Sequence, residues 1–375
     1  MKLTTAGESH GKTLVGIIEG LPSHLIVDTE EIDYYLSLRQ SGYGRGGRQK
    51  IERDKVEILT GVRNRSTLGS PLCFQIENRD YENWKAYMAP EGCDETVRCV
   101  SKVRPGHADL TGMIKYDQTD ARNILERSSA RETAVRVAAG TIARQLLREL
   151  GVEISGYVRT VCGVTDEKIY SFDETTRAKD EPLFMLDPAV QKAAMEKIDE
   201  LKAAGDTAGG VIEVRAKGLK RGFGSCMGYD TKLDGRIAGA MMGLQAIKGV
   251  EFGMGFAVGE KKGSEVHDPI GFENGDFVRR TNNAGGVEGG MSNGEEIVVR
   301  AAMKPIPTLM RGLDTIDYIT KEKARAATER SDVAAICACE VILESILCTV
   351  LAQAVLERLG GDNMREVKER YERLP

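Results

Sequence analysis

The chain has 375 residues, 41% hydrophobic and 29% charged, with a formal net charge of −5. That length admits one large domain or two closely packed ones, and the composition is that of a packed globular protein. The acidic balance excludes a globally basic nucleic-acid binder, so any anion site must be a local gathering of Arg and Lys.

In chain order, the first segment with chemical character is Gly7 to Thr13, "GESHGKT". It matches the nucleophile-elbow pattern G-x-S-x-G and falls one residue short of a phosphate-binding P-loop. Context argues against both. An elbow sits between a strand and a helix in a sheet already built, and a P-loop opens a helix at its Lys. Here only Met1 to Ala6 come before, and Leu14 to Gly20 reads as a strand. A Gly-punctuated turn into a strand is the plain alternative.

Asp28 with Glu31 starts a helix whose apolar face is Ile32, Tyr35 and Leu36. Alternation predicts strands over Lys55–Val62 and Leu72–Glu77. Ser129-Ala130-Arg131-Glu132 reads as a capping box for a helix in which Ala130, Ala134, Ala138, Ile142 and Leu146 recur every fourth residue, stopped at Gly151. Asp187-Pro188 opens a helix running to Gly205. Thr165–Glu181 is polar enough for a surface excursion. Strands are expected at Val211–Ala216, Val250–Val258 and Glu296–Met303, and helices at Asp234–Lys248 and Asp332–Leu359, with Asp332 as the plain N-cap of the last. The strands and helices do not alternate regularly, which favours layered α+β over a doubly wound parallel sheet. No linker marks a boundary. One domain is expected, with two pseudo-related halves as a variant.

Eight cysteines are scattered without C-x-x-C or zinc spacing, so idle thiols in a reducing compartment and no metal are expected. No basic segment followed by an apolar one marks a signal peptide, and a cytoplasmic location is expected. The most apolar stretch, Val333 to Leu356, carries Glu340 and Glu344. It reads as a buried helix rather than a membrane span.

Two of the four histidines sit in Gly-containing loops beside a cation: His10 in "GESHGK" and His107 in "RPGHADLT". Histidine titrates near working pH, so these two are the first candidates for proton transfer, with a solvated loop side chain as the alternative. "RQSGYGRGGRQKIERDK" carries Arg39, Arg45, Arg48, Lys50, Arg53 and Lys55 against Glu52 and Asp54. Glycines let backbone approach a ligand, and Arg forks grip phosphate or carboxylate. An RGG-like RNA contact would want interleaved aromatics, and only Tyr43 is there. Arg127, Arg131 and Arg136 surround a helix N-terminus, itself an anion site by default. Lys304 lies in the Pro-stiffened "MKPIPTL", and Arg330 and Asp332 in "ERSDVAA". Together these describe a site for a small, multiply anionic ligand, with two His and one Asp available for protons.

The blocks "GESHGK", "GYGRGGRQKIERDKVEILTGV", "RPGHADLTG", "ERSSARETAVRVAAG", "NNAGGVEGGMSNGE", "MKPIPTL" and "ERSDV", in that order over Met1 to about Leu356, resemble the signature segments of the chorismate synthase family. The resemblance implies an anti-1,4-elimination of phosphate from 5-enolpyruvylshikimate 3-phosphate. It also implies reduced FMN without net redox change, and helices sandwiched between antiparallel sheets in a homotetramer. It implies substrate contacts from Ser9, Arg39, Arg45, Arg131, Arg330 and Ser331. His10 would be the general acid at the phosphate, His107 would lie by the flavin's pyrimidine side, and Asp332 would handle the flavin N5 proton. The cofactor would be held by Arg127, Ser128, Ser129, Gln245, Ala246, Gly289, Lys304, Pro305, Ile306, Pro307, Thr308 and Arg330. NADPH would enter only as the source of flavin reduction. With no dinucleotide fingerprint visible, a separate flavin reductase is expected. No nucleic-acid or membrane partner is expected.

Leu38, Ser41 and Ser331 stand where many members have Arg, Pro and His, and Asn123 to Glu126 replaces a Gly-rich run. A flavin-dependent NADPH oxidoreductase sharing the same site is the alternative activity.

Overall fold

The computed structural model describes residues 1–46, 52–327 and 332–375. The chain opens with strands β1 (Lys2–Ala6) and β2 (Thr13–Glu19). Helix α1 (Thr29–Gln40) follows, then β3 (Val56–Thr60) and β4 (Leu72–Glu77). Two short helices, α2 (Asp109–Lys115) and α3 (Arg122–Ser128), precede the long α4 (Thr133–Arg148). Next come β5 (Glu153–Val161), β6 (Val164–Thr165), α5 (Pro188–Ala203) and β7 (Gly210–Lys217). The chain closes with α6 (Leu233–Met242), β8 (Ile247–Phe252), β9 (Ile297–Met303), α7 (Ile336–Leu359) and α8 (Met364–Glu372).

One sheet has the order β1-β2-β4-β3 and the other β8-β9-β7-β5-β6, and every pair in both is antiparallel. Helix α4 packs on β2, α7 packs on β5 and β7, and the two helices pack on each other, so helices fill the space between the sheets. This is the α+β layering that irregular alternation predicts. Gly140 on α4 makes the close crossing possible, since a Cβ there would come within 2.4 Å of Ser345 on α7. Helix α7 is long and apolar enough to cross a membrane by composition. It is instead buried on nearly every side, as a helix apolar all round must be inside a large fold. A single continuous set of buried apolar side chains runs from Leu14 through α4 and α7 to Tyr371.

Local signals explain several elements. Asp28 caps α1, accepting from Glu30 N–H, and Asp187 caps α5 with Pro188 at its first position. Four expectations need correction. Ser129 and Glu132 do not form a capping box: Ser129 Oγ accepts from Arg131 N–H and opens a single tight turn, Ala130–Glu132, before α4 begins. Glu132 instead accepts from Gln245 Nε2 at 3.0 Å and pairs with Arg136 at 3.0 Å. Asp332 does not cap the last helix, which starts at Ile336, because its carboxylate is engaged elsewhere. Helix α6 ends at Met242 and β8 at Phe252, short of Lys248 and Val258. Ala246 at φ 70° turns the chain after the helix, and Gly253 and Gly255 turn it after the strand. The 165–181 segment does run over the surface, with Glu167, Lys168, Ile169 and Asp173 exposed, but it is anchored. It buries Asp166, Phe172, Thr175 and Ala178, and sends Lys179 to Glu340 and Glu344.

Candidate active site

The turn between β1 and β2 is forced by Gly7, at φ 110°, where a Cβ would meet Thr13 O at 2.5 Å. That turn lays Ser9 and His10 against the last turn of α3. Ser9 N–H donates to Glu126 O at 2.9 Å, and Ser9 Oγ accepts from Ser129 Oγ at 3.2 Å. His10 is held by the Glu126 carboxylate, which takes its backbone N–H at 2.7 Å and its Nδ1 at 2.8 Å. Burial raises Glu126, but the hydrogen bonds and charge of His10 and the charge of Arg122 outweigh it, so its carboxyl lies below the ordinary range.

Both residues open onto a cleft of about 460 Å3, whose other walls come from six parts of the chain. From the end of α1 and the loop after it come Arg39 and Arg45; from the end of α3 and the turn before α4, Ser128, Ser129 and Arg131. The loop before α2 adds Arg104 and His107, and the turn after α6 adds Gln245 and Ala246. Lys304, Ile306, Pro307 and Thr308 follow β9, and Asp332 stands before α7. The volume falls in the range of about 300–1,000 Å3 usual for small-molecule sites.

The cations are aimed by carboxylates standing behind them. Asp54 takes both its oxygens to Arg131 Nη1, at 2.6 and 2.7 Å, and lies 3.5 Å from Arg39 Nη1. Arg39 also donates to Thr133 Oγ1 and Ala130 O, each at 3.0 Å, and burial pushes its guanidinium down to about 10, still charged at neutral pH. Asp109, fully buried, accepts from His107 Nδ1 at 2.5 Å and from Arg104 Nε at 2.8 Å. Burial would raise Asp109, yet the hydrogen bonds from His107 and Arg104 hold its carboxyl well below the ordinary range. Arg104 Nη1 reaches on to Thr308 Oγ1 at 3.2 Å. Lys304 donates to Gly106 O, and its ammonium is lowered by partial burial and by Lys248. Five fixed cations line the cleft, Arg39, Arg45, Arg104, Arg131 and Lys304, against the carboxylates Glu52 and Asp332. An acidic chain thus presents a locally positive surface.

Three polar atoms at this cleft are buried without a hydrogen-bond partner among the described residues: Arg45 Nε, Ser128 Oγ and Gln245 Oε1. Unpaired buried polar groups are costly, and a bound polar ligand would satisfy them. This donor and acceptor set suits a phosphate and a heteroaromatic ring bearing amide-like edges.

His10, Arg45 and Asp332 share one cleft, so the residues expected to meet do meet. Arg127, Gly289 and Pro305 are not among its lining residues. Arg127 is exposed and donates back to Thr5 and Gly7 carbonyls at 3.0 and 3.1 Å, because its side chain leaves α3 on the β1 side. Gly289 turns a tight hairpin between Val287 and Ser292, at φ 58°. Pro305 is exposed between Lys304 and Ile306. Arg48, Lys50, Arg330 and Ser331 lie outside the described residues. Reading the sequence missed Glu126, Trp84 and the Arg104–Asp109 pair. Only the spacing of Arg104, His107 and Asp109 within one short loop hinted at the last.

Fold and site together define an anion-binding α+β protein in which His10, His107 and Asp332 sit beside clustered guanidinium groups. A family model described as "Chorismate synthase" matches residues 1–356. The chorismate synthase of Alkaliphilus metalliredigens is 52% identical over 372 residues, covering 99% of this chain and 98% of that protein. That of Thermus thermophilus is 51% identical over 376 residues, covering 100% and 98%. A crystal structure of chorismate synthase superposes with a TM-score of 0.79 at 40% identity, over 99% of this chain and 96% of that one. The chain belongs to the chorismate synthase family. Its activity is that of a lyase of aromatic amino acid biosynthesis, eliminating phosphate from 5-enolpyruvylshikimate 3-phosphate to give chorismate.

Proposed function

We propose that the cleft bearing His10, Arg45 and Asp332 is where this elimination occurs, with reduced FMN as cofactor. One observation carries the reading: clustered cations and three unpartnered buried polar atoms converge on one concavity. The substrate brings two carboxylates and a phosphate, and each needs charge-assisted hydrogen bonds. Arg39, Arg45 and Arg131 bind these groups, with Arg330 and Ser331 as further substrate contacts by family resemblance alone. Ser9 donates a hydrogen bond to the phosphate rather than attacking it. His10 gives a proton to the leaving phosphate as a general acid.

The residues present fit a phosphate-bearing flavin: Ser128 Oγ and Gln245 Oε1 are unpartnered, and Lys304 stands across the cleft. When bound, reduced flavin supplies an electron-rich ring that eases departure of phosphate and of the C6 hydrogen without net redox change. Ser128, Ser129, Gln245, Ala246, Lys304, Ile306, Pro307 and Thr308 would hold it. His107, locked by Asp109, presents a fixed imidazole edge to that part of the cleft. Asp332 is placed to hold and pass on a proton. Arg127, Gly289 and Pro305 remain cofactor contacts by family resemblance alone.

We also read the chain as a single domain working as a homotetramer in the cytoplasm, its flavin reduced by a separate NADPH-dependent reductase. An anaerobic assay of phosphate release with reduced FMN and the enolpyruvyl substrate tests the reading. Phosphate and chorismate should appear in equal amounts. Folded, FMN-bound protein that releases no phosphate would sink it, and NADPH turnover without substrate would favour an ordinary flavin oxidoreductase.

A further inference from the structure

His10 is gripped on two sides by groups with no role in the mechanism above. Across its face lies the indole of Trp84, with ring centroids 4.0 Å apart and planes at 29°. Arg98 and Arg122 lie over that indole, 4.1 and 4.9 Å from its centroid, and its Nε1–H donates to Asp80 at 3.1 Å. At its edge stands Glu126, with only 2% of its side chain exposed. Glu126 takes both the Nδ1 and the backbone N–H of His10, and Arg122 Nη1 lies 3.4 Å from the same carboxylate. The other charged or titratable groups that line the cleft with His10 are Arg39, Arg45, Glu52, Arg104, His107, Arg131, Lys304 and Asp332.

We propose that Glu126 and Trp84 are positioning residues for His10, with Glu126 keeping a proton on Nδ1 so that Nε2 is the nitrogen that donates to the leaving phosphate. This rests on the cleft being the active site. A carboxylate bonded to one ring nitrogen selects the tautomer, and a stacked ring fixes the imidazole plane. As the carbon–oxygen bond breaks, its electron pair departs with the phosphate. The Nε2 proton passes to a phosphate oxygen, and the imidazole is left neutral with Nδ1–H still on Glu126.

The test compares wild type with Glu126→Gln, Glu126→Asp and Trp84→Leu. One readout is the pH profile of anaerobic phosphate release. The other is the imidazole 15N spectrum of the ligand-free protein, where His10→Gln assigns one signal among four histidines. Glu126→Gln should lower kcat about 10- to 100-fold, as loss of an orienting partner typically does. It should leave KM near the wild-type value, change the pH profile and mix the neutral tautomers. Glu126→Asp should recover part of each effect. Unchanged kcat, profile and tautomer in Glu126→Gln would overturn the proposal. If that variant does not fold, unchanged profiles and spectra in both Glu126→Asp and Trp84→Leu would overturn it. Absence of phosphate release from wild type would instead strike at the active-site reading, leaving the spectra to judge the clamp.

Discussion

Arg45 and Asp332, from opposite ends of the chain, form an ion pair at 3.0 Å across the mouth of the cleft. The Asp332 carboxylate also accepts from Gly46 N–H at 2.6 Å, so the loop after α1 is tied to the segment before α7. The two residues should separate kinetically. Arg45→Ala should raise KM for the enolpyruvyl substrate about 10- to 100-fold, the loss of a charged hydrogen bond, with a smaller effect on kcat. Asp332→Asn, which keeps the shape, should lower kcat about 100-fold with little change in KM. Steady-state kinetics under anaerobic conditions check both.

Asp54 neutralises two buried guanidinium groups at once, Arg131 and Arg39. Asp54→Ala should therefore destabilise the fold by about 3–5 kcal/mol, because it leaves buried charge unpaired. Urea denaturation measures the loss. The same variant should weaken substrate binding, since both arginines lose the group that aims them.

Asp109 makes stability depend on acid. Its carboxyl is held below its unfolded value, so its contribution is fully present above the ordinary carboxylate range and is lost as pH falls through the lower folded value. The stability deficit of Asp109→Asn should be large at pH 7 and shrink below about pH 4. Paired urea melts at the two pH values give the comparison.

Beneath the second sheet, Glu344 binds Arg144 and Lys179, each at 2.6 Å, while Glu340 pairs with Lys179 at 3.0 Å. Burial, then the charge of Glu344, raises Glu340 to about 8. The folded protein therefore holds a proton there that the unfolded chain releases. Wild-type stability should fall as pH rises from the ordinary Glu range to about 8, and Glu340→Gln should lose that slope. Lys179→Met should instead cost about 3–5 kcal/mol at neutral pH, stranding a buried carboxylate.

Much was legible without coordinates wherever the signal was local. Asp28 and Asp187-Pro188 announced α1 and α5, and alternation marked β4 and β9. Asp332 and the Ser129–Glu132 run misled because a short polar side chain before a helix caps it only when no stronger partner competes. Arg45 and Gly46 took Asp332, and Gln245 and Arg136 took Glu132.

The order of residues by itself determined the α+β content, the family and the types of side chain at the site, since propensities, caps and ordered motifs act over a few neighbouring positions. Only the tertiary structure decided which carboxylate aims which cation. His10 finds Glu126 116 residues away and Arg131 finds Asp54 77 residues away, because charges pair by distance in space, and the packing of α3 and α4 against the sheet sets that distance.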